Sequence, residues 1–252
     1  MEGPALRPSI ALLLVPVSFA LLVATSSVTL PWGLPGGVVA QVIGFAAPAW
    51  LAARRTGRPG AVLGLVAPPA RAVVGSVLVA ISLWYVIAVA LVPWARDLAT
   101  EGEAERLALH LAGPEPLALK LVAVAVIPAL CEELLFRGAL ARGLRAPLGL
   151  VGAALVSAAL FALAHGSLAR LPIAFALGVV LGVTALRVGS IVPAMVIHAG
   201  NNAAAVLLSW PPVLAHATFL DRTAVTLPAA ALCSALGLSL LWSRGATSRS
   251  PS

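Results

Sequence analysis

The chain has 252 residues, 61% of them hydrophobic and only 10% charged, with a mean hydropathy of +1.04. Soluble domains carry roughly 45–50% apolar and about 25% charged residues, so the composition excludes a soluble globular domain and defines a polytopic membrane protein. The net charge of +7 does not indicate a nucleic-acid partner, because the basic residues fall in short loops between apolar runs rather than in one polar segment.

A helix needs about 20 apolar residues to cross ~30 Å of hydrocarbon. Eight runs meet or approach that length, near 9–30, 36–53, 72–94, 117–144, 148–166, 171–186, 190–209 and 224–243. No long polar stretch separates them, so residues 1–252 read as a single integral membrane domain, all-α, with short loops. Lys and Arg gather on the cytoplasmic side of short loops. With the N-terminus inside, eleven fall inside (Arg7, Arg54, Arg55, Arg58, Arg71, Arg137, Arg142, Arg145, Arg187, Arg244, Arg249) and five outside (Arg96, Arg106, Lys120, Arg170, Arg222). Both termini are therefore expected in the cytoplasm, with the cell membrane as the location.

The first run follows Arg7 and has small residues near Ala24, which also suits a signal peptide; losing it would spoil the charge pattern. The segment at 95–116 carries Asp97, Glu101, Glu103, Glu105 and Glu115 and reads as a short amphipathic helix at the outer interface, with His110 an ordinary interfacial residue. Cys131 and Cys233 stand far apart in apolar segments and form neither a disulfide framework nor a metal motif. A thiol nucleophile at Cys131 is disfavoured, since apolar surroundings hold little thiolate.

Glu132 and Glu133 are the most informative residues. A carboxylate in a lipid-buried helix costs about 2.5–3.5 kcal/mol on insertion scales and persists mainly where it has polar partners. Residues four apart share a helix face, so Glu133 and Arg137 can pair while Glu132 points about 100° away. Two more polar constellations have the same spacing, Phe161 with His165 and His198 with Asn202. Each has a plainer reading: Arg137 snorkelling to lipid phosphate, Phe161 and His165 as packing, His198 and Asn202 as an interhelical hydrogen-bond pair. The plainer readings do not explain why the strongly polar groups of the spans fall into three pairs at one spacing.

The segments EELLFR at 132–137, FALAH at 161–165 and HAGNN at 198–202 resemble, in order and spacing, the three motifs of the CPBP family of intramembrane proteases. That family includes type II CAAX prenyl endopeptidases and bacterial peptide-processing or immunity relatives. The resemblance covers roughly 117–209, the motif-bearing core. It implies that Glu132 and His165 activate a water, that His198 and Asn202 stabilise the oxyanion, and that Glu133, Arg137 and Phe161 support them.

The chemistry is consistent with those roles, because amide hydrolysis needs a water, a base for its proton, and donors aimed at the developing oxyanion. Zinc held by Glu132, His165 and His198 is the alternative, since two imidazoles and a carboxylate leave an open coordination position; the absence of HExxH favours the metal-free glutamate mechanism. The expected partners are a membrane-associated protein or peptide substrate and the lipid bilayer. A non-enzymatic immunity or scaffold protein and a proton-coupled transporter are the other classes, and no inverted repeat favours transport.

Depth conflicts with this grouping. At about 1.5 Å per residue from the nearest inner loop, Glu132 lies about 18 Å deep, His198 about 12 Å and His165 about 27 Å. Kinks at Pro128, Pro172 and Pro193 are the expected remedy, giving about eight kinked helices around a polar cavity.

Overall fold

Helix limits fall where glycine or proline stands. The computed structural model describes residues 4–100, 115–218 and 222–243, and no strand occurs among them. Among the described residues seven helices are long and apolar enough to cross a membrane: α1 Pro8–Trp32, α2 Leu34–Arg54, α3 Ala70–Ala95, α4 Leu117–Leu163, α5 Leu171–Val188, α6 Val192–Ser209 and α7 Thr223–Trp242. The molecule is a multi-pass, all-helical membrane protein. Residues 101–114, with His110 and most of the expected interfacial helix, lie outside the described residues.

Helix α4 accounts for the difference between eight predicted runs and seven helices. Its 47 residues would extend about 70 Å if straight, more than twice the ~30 Å of hydrocarbon. It breaks at Gly149, whose φ of 67° and ψ of −176° belong to a region open essentially to glycine alone. Beyond that residue the chain doubles back: Ser157 Oγ donates to Phe136 O at 2.7 Å, and the Phe136 and Phe161 rings meet edge to face at 5.3 Å. The fourth and fifth predicted runs are thus two antiparallel arms of one broken helix.

That break also resolves the conflict of depths. Glu132 lies seventeen residues before Gly149 and His165 sixteen after it, so both sit about 25 Å along their arms from the bend. The expectation erred by ending the fourth span at residue 144. The expected proline kinks are also corrected in part. Pro172 and Pro193 occupy the first turns of α5 and α6, where a missing N–H is harmless, so they start helices rather than bend them. Pro128 lies within α4, just after a π-helical stretch at Leu121–Val126.

The loops predicted to be inside share one end of the molecule. Arg142 donates to Val62 O at 3.0 Å, Ala61 O at 3.1 Å, Gly189 O at 3.3 Å and Pro4 O at 3.3 Å. Arg145 adds Leu186 O at 2.6 Å, and Ile191 N donates to Gly64 O at 3.0 Å. These carbonyls belong to helix ends and loops, where intrahelical donors run out. At the other end Lys120 Nζ lies 5.3 Å from the centre of the Trp210 ring. Helix α1 packs into the body through buried Ala11 and Val15, and Leu13, Val23 and Ile81 expose more than 60% of their surface, as a lipid-facing wall requires.

Arg137 does not belong with the loop charges, because it is fully buried; removing it leaves ten inside against five outside. The sidedness can be measured with single cysteines in a background lacking Cys131 and Cys233. A cysteine at exposed Arg55 should label with a membrane-impermeant thiol reagent only after the cells are opened, and one at Glu103 in intact cells. Arg142 is unsuitable as a reporter, since replacing it removes its contacts to four carbonyls.

Candidate active site

The site is built around a guanidinium deprived of water. Arg137 Nη1 donates to Glu133 Oε1 at 2.9 Å with both side chains fully buried. Its Nη2 donates to Gly178 O on α5 at 3.1 Å, and its flat face lies 4.3 Å from the centre of the Phe161 ring. A buried charge is tolerable only when paired and hydrogen-bonded. The snorkelling reading of Arg137 is thereby overturned: the side chain turns inward to three partners instead of out to phosphate.

Glu133 Oε1 also accepts from His198 Nδ1 on α6 at 2.9 Å. An ionised carboxylate only accepts, so Nδ1 carries the hydrogen of this bond and Nε2 is left to face Glu132. That Nε2 lies 3.8 Å from Glu132 Oε2, too long for a hydrogen bond. Glu132 is turned away from Arg137, as adjacent residues on a helix are, and it retains 8% of its surface against none for Glu133.

His165 is half-buried and donates Nδ1–H to Phe161 O at 2.9 Å, so its Nε2 is also free. Its ring centre lies 4.8 Å from that of Phe161, and the His198 ring is 5.5 Å from the same phenyl. Phe161 therefore touches both imidazoles edge to face.

Asn202 lies one turn beyond His198. Pro128 has no N–H to give the carbonyl four residues back, and Asn202 Nδ2 donates to that oxygen, Val124 O, at 3.3 Å. Its own Oδ1 accepts from Asn201 at 3.4 Å. One amide hydrogen of Asn202 remains for a further acceptor.

One site residue was not expected from the sequence. Gln41 Nε2, on α2, donates to Glu132 Oε1 at 3.1 Å. The available signal was a lone amide in the apolar stretch GGVVAQVIGFAA; it belongs to no i,i+4 pair and was passed over. Buried polar atoms without a hydrogen-bond partner among the described residues concentrate here: Gln41 Oε1, Glu132 Oε2, Glu133 Oε2 and Arg137 Nε. Such atoms are rare in folded proteins and call for a functional explanation. Among the described residues, no three His, Cys, Asp or Glu side chains converge in a metal-binding group.

The class defined so far is a multi-pass membrane protein with a cluster of carboxylates, imidazoles and a guanidinium enclosed by its helices. Residues 114–204 match the family described as Type II CAAX prenyl endopeptidase Rce1-like. That match agrees with the CPBP resemblance of the three motifs and supports an intramembrane protease; it spans all three motifs and leaves α1, α2, α3 and α7 outside. No curated protein and no solved structure matches the chain.

The charge network has a stability consequence. Glu133→Gln strands Arg137 without its counter-ion, and breaking a buried pair from one side costs about 3–5 kcal/mol. The purified variant should melt well below wild type in detergent, whereas Glu132→Gln, whose partner is a neutral amide, should melt close to it.

Proposed function

We propose that the protein is an intramembrane endopeptidase that hydrolyses a peptide bond near a membrane-associated end of a protein or peptide substrate, with Glu132 as general base. The observation that carries this is the setting of Glu132: its Oε2 is buried without a hydrogen-bond partner among the described residues and faces His198 Nε2 at 3.8 Å, and its carboxylate is not paired with Arg137 as that of Glu133 is.

In this mechanism Oε2 takes a proton from water as the oxygen attacks the scissile carbonyl, and Glu132 then returns the proton to the leaving amine. The remaining Asn202 N–H and a protonated His198 Nε2 donate to the oxyanion, where donors in a water-poor site are worth most. His165, with its Nε2 lone pair free, shares in activating the water. Glu133 and Arg137 hold His198 in place.

A zinc mechanism is the second reading, and one observation favours it. Both histidines donate Nδ1–H to oxygen, to Glu133 and to Phe161 O, the outer-shell arrangement usual for zinc-ligating histidines. The absence of an HExxH pair in the sequence favours the metal-free mechanism.

Two measurements test this function. Glu132→Gln should keep the protein inserted and folded while turnover falls below detection, because an amide keeps the shape but cannot accept the proton. Wild-type turnover by purified Glu132→Gln protein would sink the assignment. Exhaustive chelation should leave wild-type activity intact; loss on chelation, restored by zinc alone, would establish the metal mechanism instead.

A further inference from the structure

We infer that Gln41 is a positioning residue of this site, selecting which oxygen of Glu132 does the chemistry. This use of Gln41 rests on the assignment of Glu132 as base, but the contact that carries it does not. A carboxylate offers two equivalent oxygens and a soft terminal torsion. Here they are made unequal: Oε1 is held by Gln41 Nε2 at 3.1 Å, and Oε2 is turned to His198 Nε2 at 3.8 Å. Only the amide nitrogen of Gln41 can donate to a carboxylate, so its orientation is determined. Its own Oε1 makes no hydrogen bond among the described residues.

The backbone supports the same reading. Gln41 is the last α-helical residue before a π-helical stretch at Val42–Ala46, and π turns recur at functional sites because they re-aim one side chain without ending the helix. Gly44, in that stretch, lies so close to α1 that a Cβ there would come within 2.8 Å of Leu22 Cβ. Helix α2 is thus seated closely against α1 with Gln41 facing α4. The residue lies outside the matched 114–204 segment.

The test uses two variants of the full chain. Gln41→Met keeps length and bulk but loses the donor; Gln41→Asn keeps the amide but falls one methylene short. Glu132 contributes one of only nine Asp and Glu carboxyls in the chain, so its infrared band is the one that disappears in Glu132→Gln. In either folded variant that band should move from its wild-type position, reporting the lost hydrogen bond whether or not the protein is a protease. On a quenched-fluorescence farnesylated CAAX peptide, kcat should fall about tenfold to a hundredfold, the range for losing a group that orients a reacting one, with KM unchanged. An unmoved band overturns the inference, as does a moved band with wild-type kcat, or a defect confined to KM. If wild-type protein does not cleave the peptide, the protease assignment for this substrate fails and the band alone decides whether Gln41 orients Glu132.

Discussion

The fully buried guanidinium of Arg137 constrains the rest of the structure. An arginine at this depth has to find its counter-charge and hydrogen-bond acceptors inside the protein, and it finds them on several segments at once: Glu133 on its own arm of α4, Phe161 on the other arm, and Gly178 O on α5. Through Glu133 the constraint passes to His198 on α6. Four helical segments are thereby fixed around one charge, and Glu132, the neighbour of Glu133, meets the other nitrogen of the same imidazole at 3.8 Å.

The local part of this arrangement was legible in the sequence. The pairing of Glu133 with Arg137 and the common face of His198 and Asn202 follow from four-residue spacing, and helices α1, α2 and α3 follow from apolar length. The long-range part was less legible, for physical reasons. Whether Gly149 ends one span or turns it depends on a backbone conformation that its neighbours do not announce. Pro172 and Pro193 looked like kinks because a proline in an apolar run reads alike at the first turn and in the middle. Gln41 escaped because its partner is 91 residues away, and only packing brings a lone amide to a carboxylate.

Three π-helical stretches, at Val42–Ala46, Leu121–Val126 and Leu134–Ala141, all lie next to site residues. A π turn widens the helix and shifts its angular register by part of a turn. Two of them bracket the short α-helical segment that carries Glu132 and Glu133, and the third follows Gln41. The polar groups are therefore aimed by small irregularities in long apolar helices. In the resulting network Glu133 is paired with a guanidinium, whereas the hydrogen-bond partner of Glu132 is a neutral amide.

The fold-back at Gly149 also acts as a ruler. Because Phe136 with Phe161 and Arg137 with Phe161 stand nearly equidistant from it on opposite arms, contacts across the hairpin depend on the two arms having matched lengths. An inserted or deleted residue in either arm would rotate everything beyond it by about 100° and slide it by about 1.5 Å, turning Phe161 away from Phe136 and Arg137 while leaving every motif letter intact. Related chains are therefore better compared by the balance of the two arms about the bend than by the motifs alone: one with both motifs but unequal arms would keep the letters of the site without its geometry.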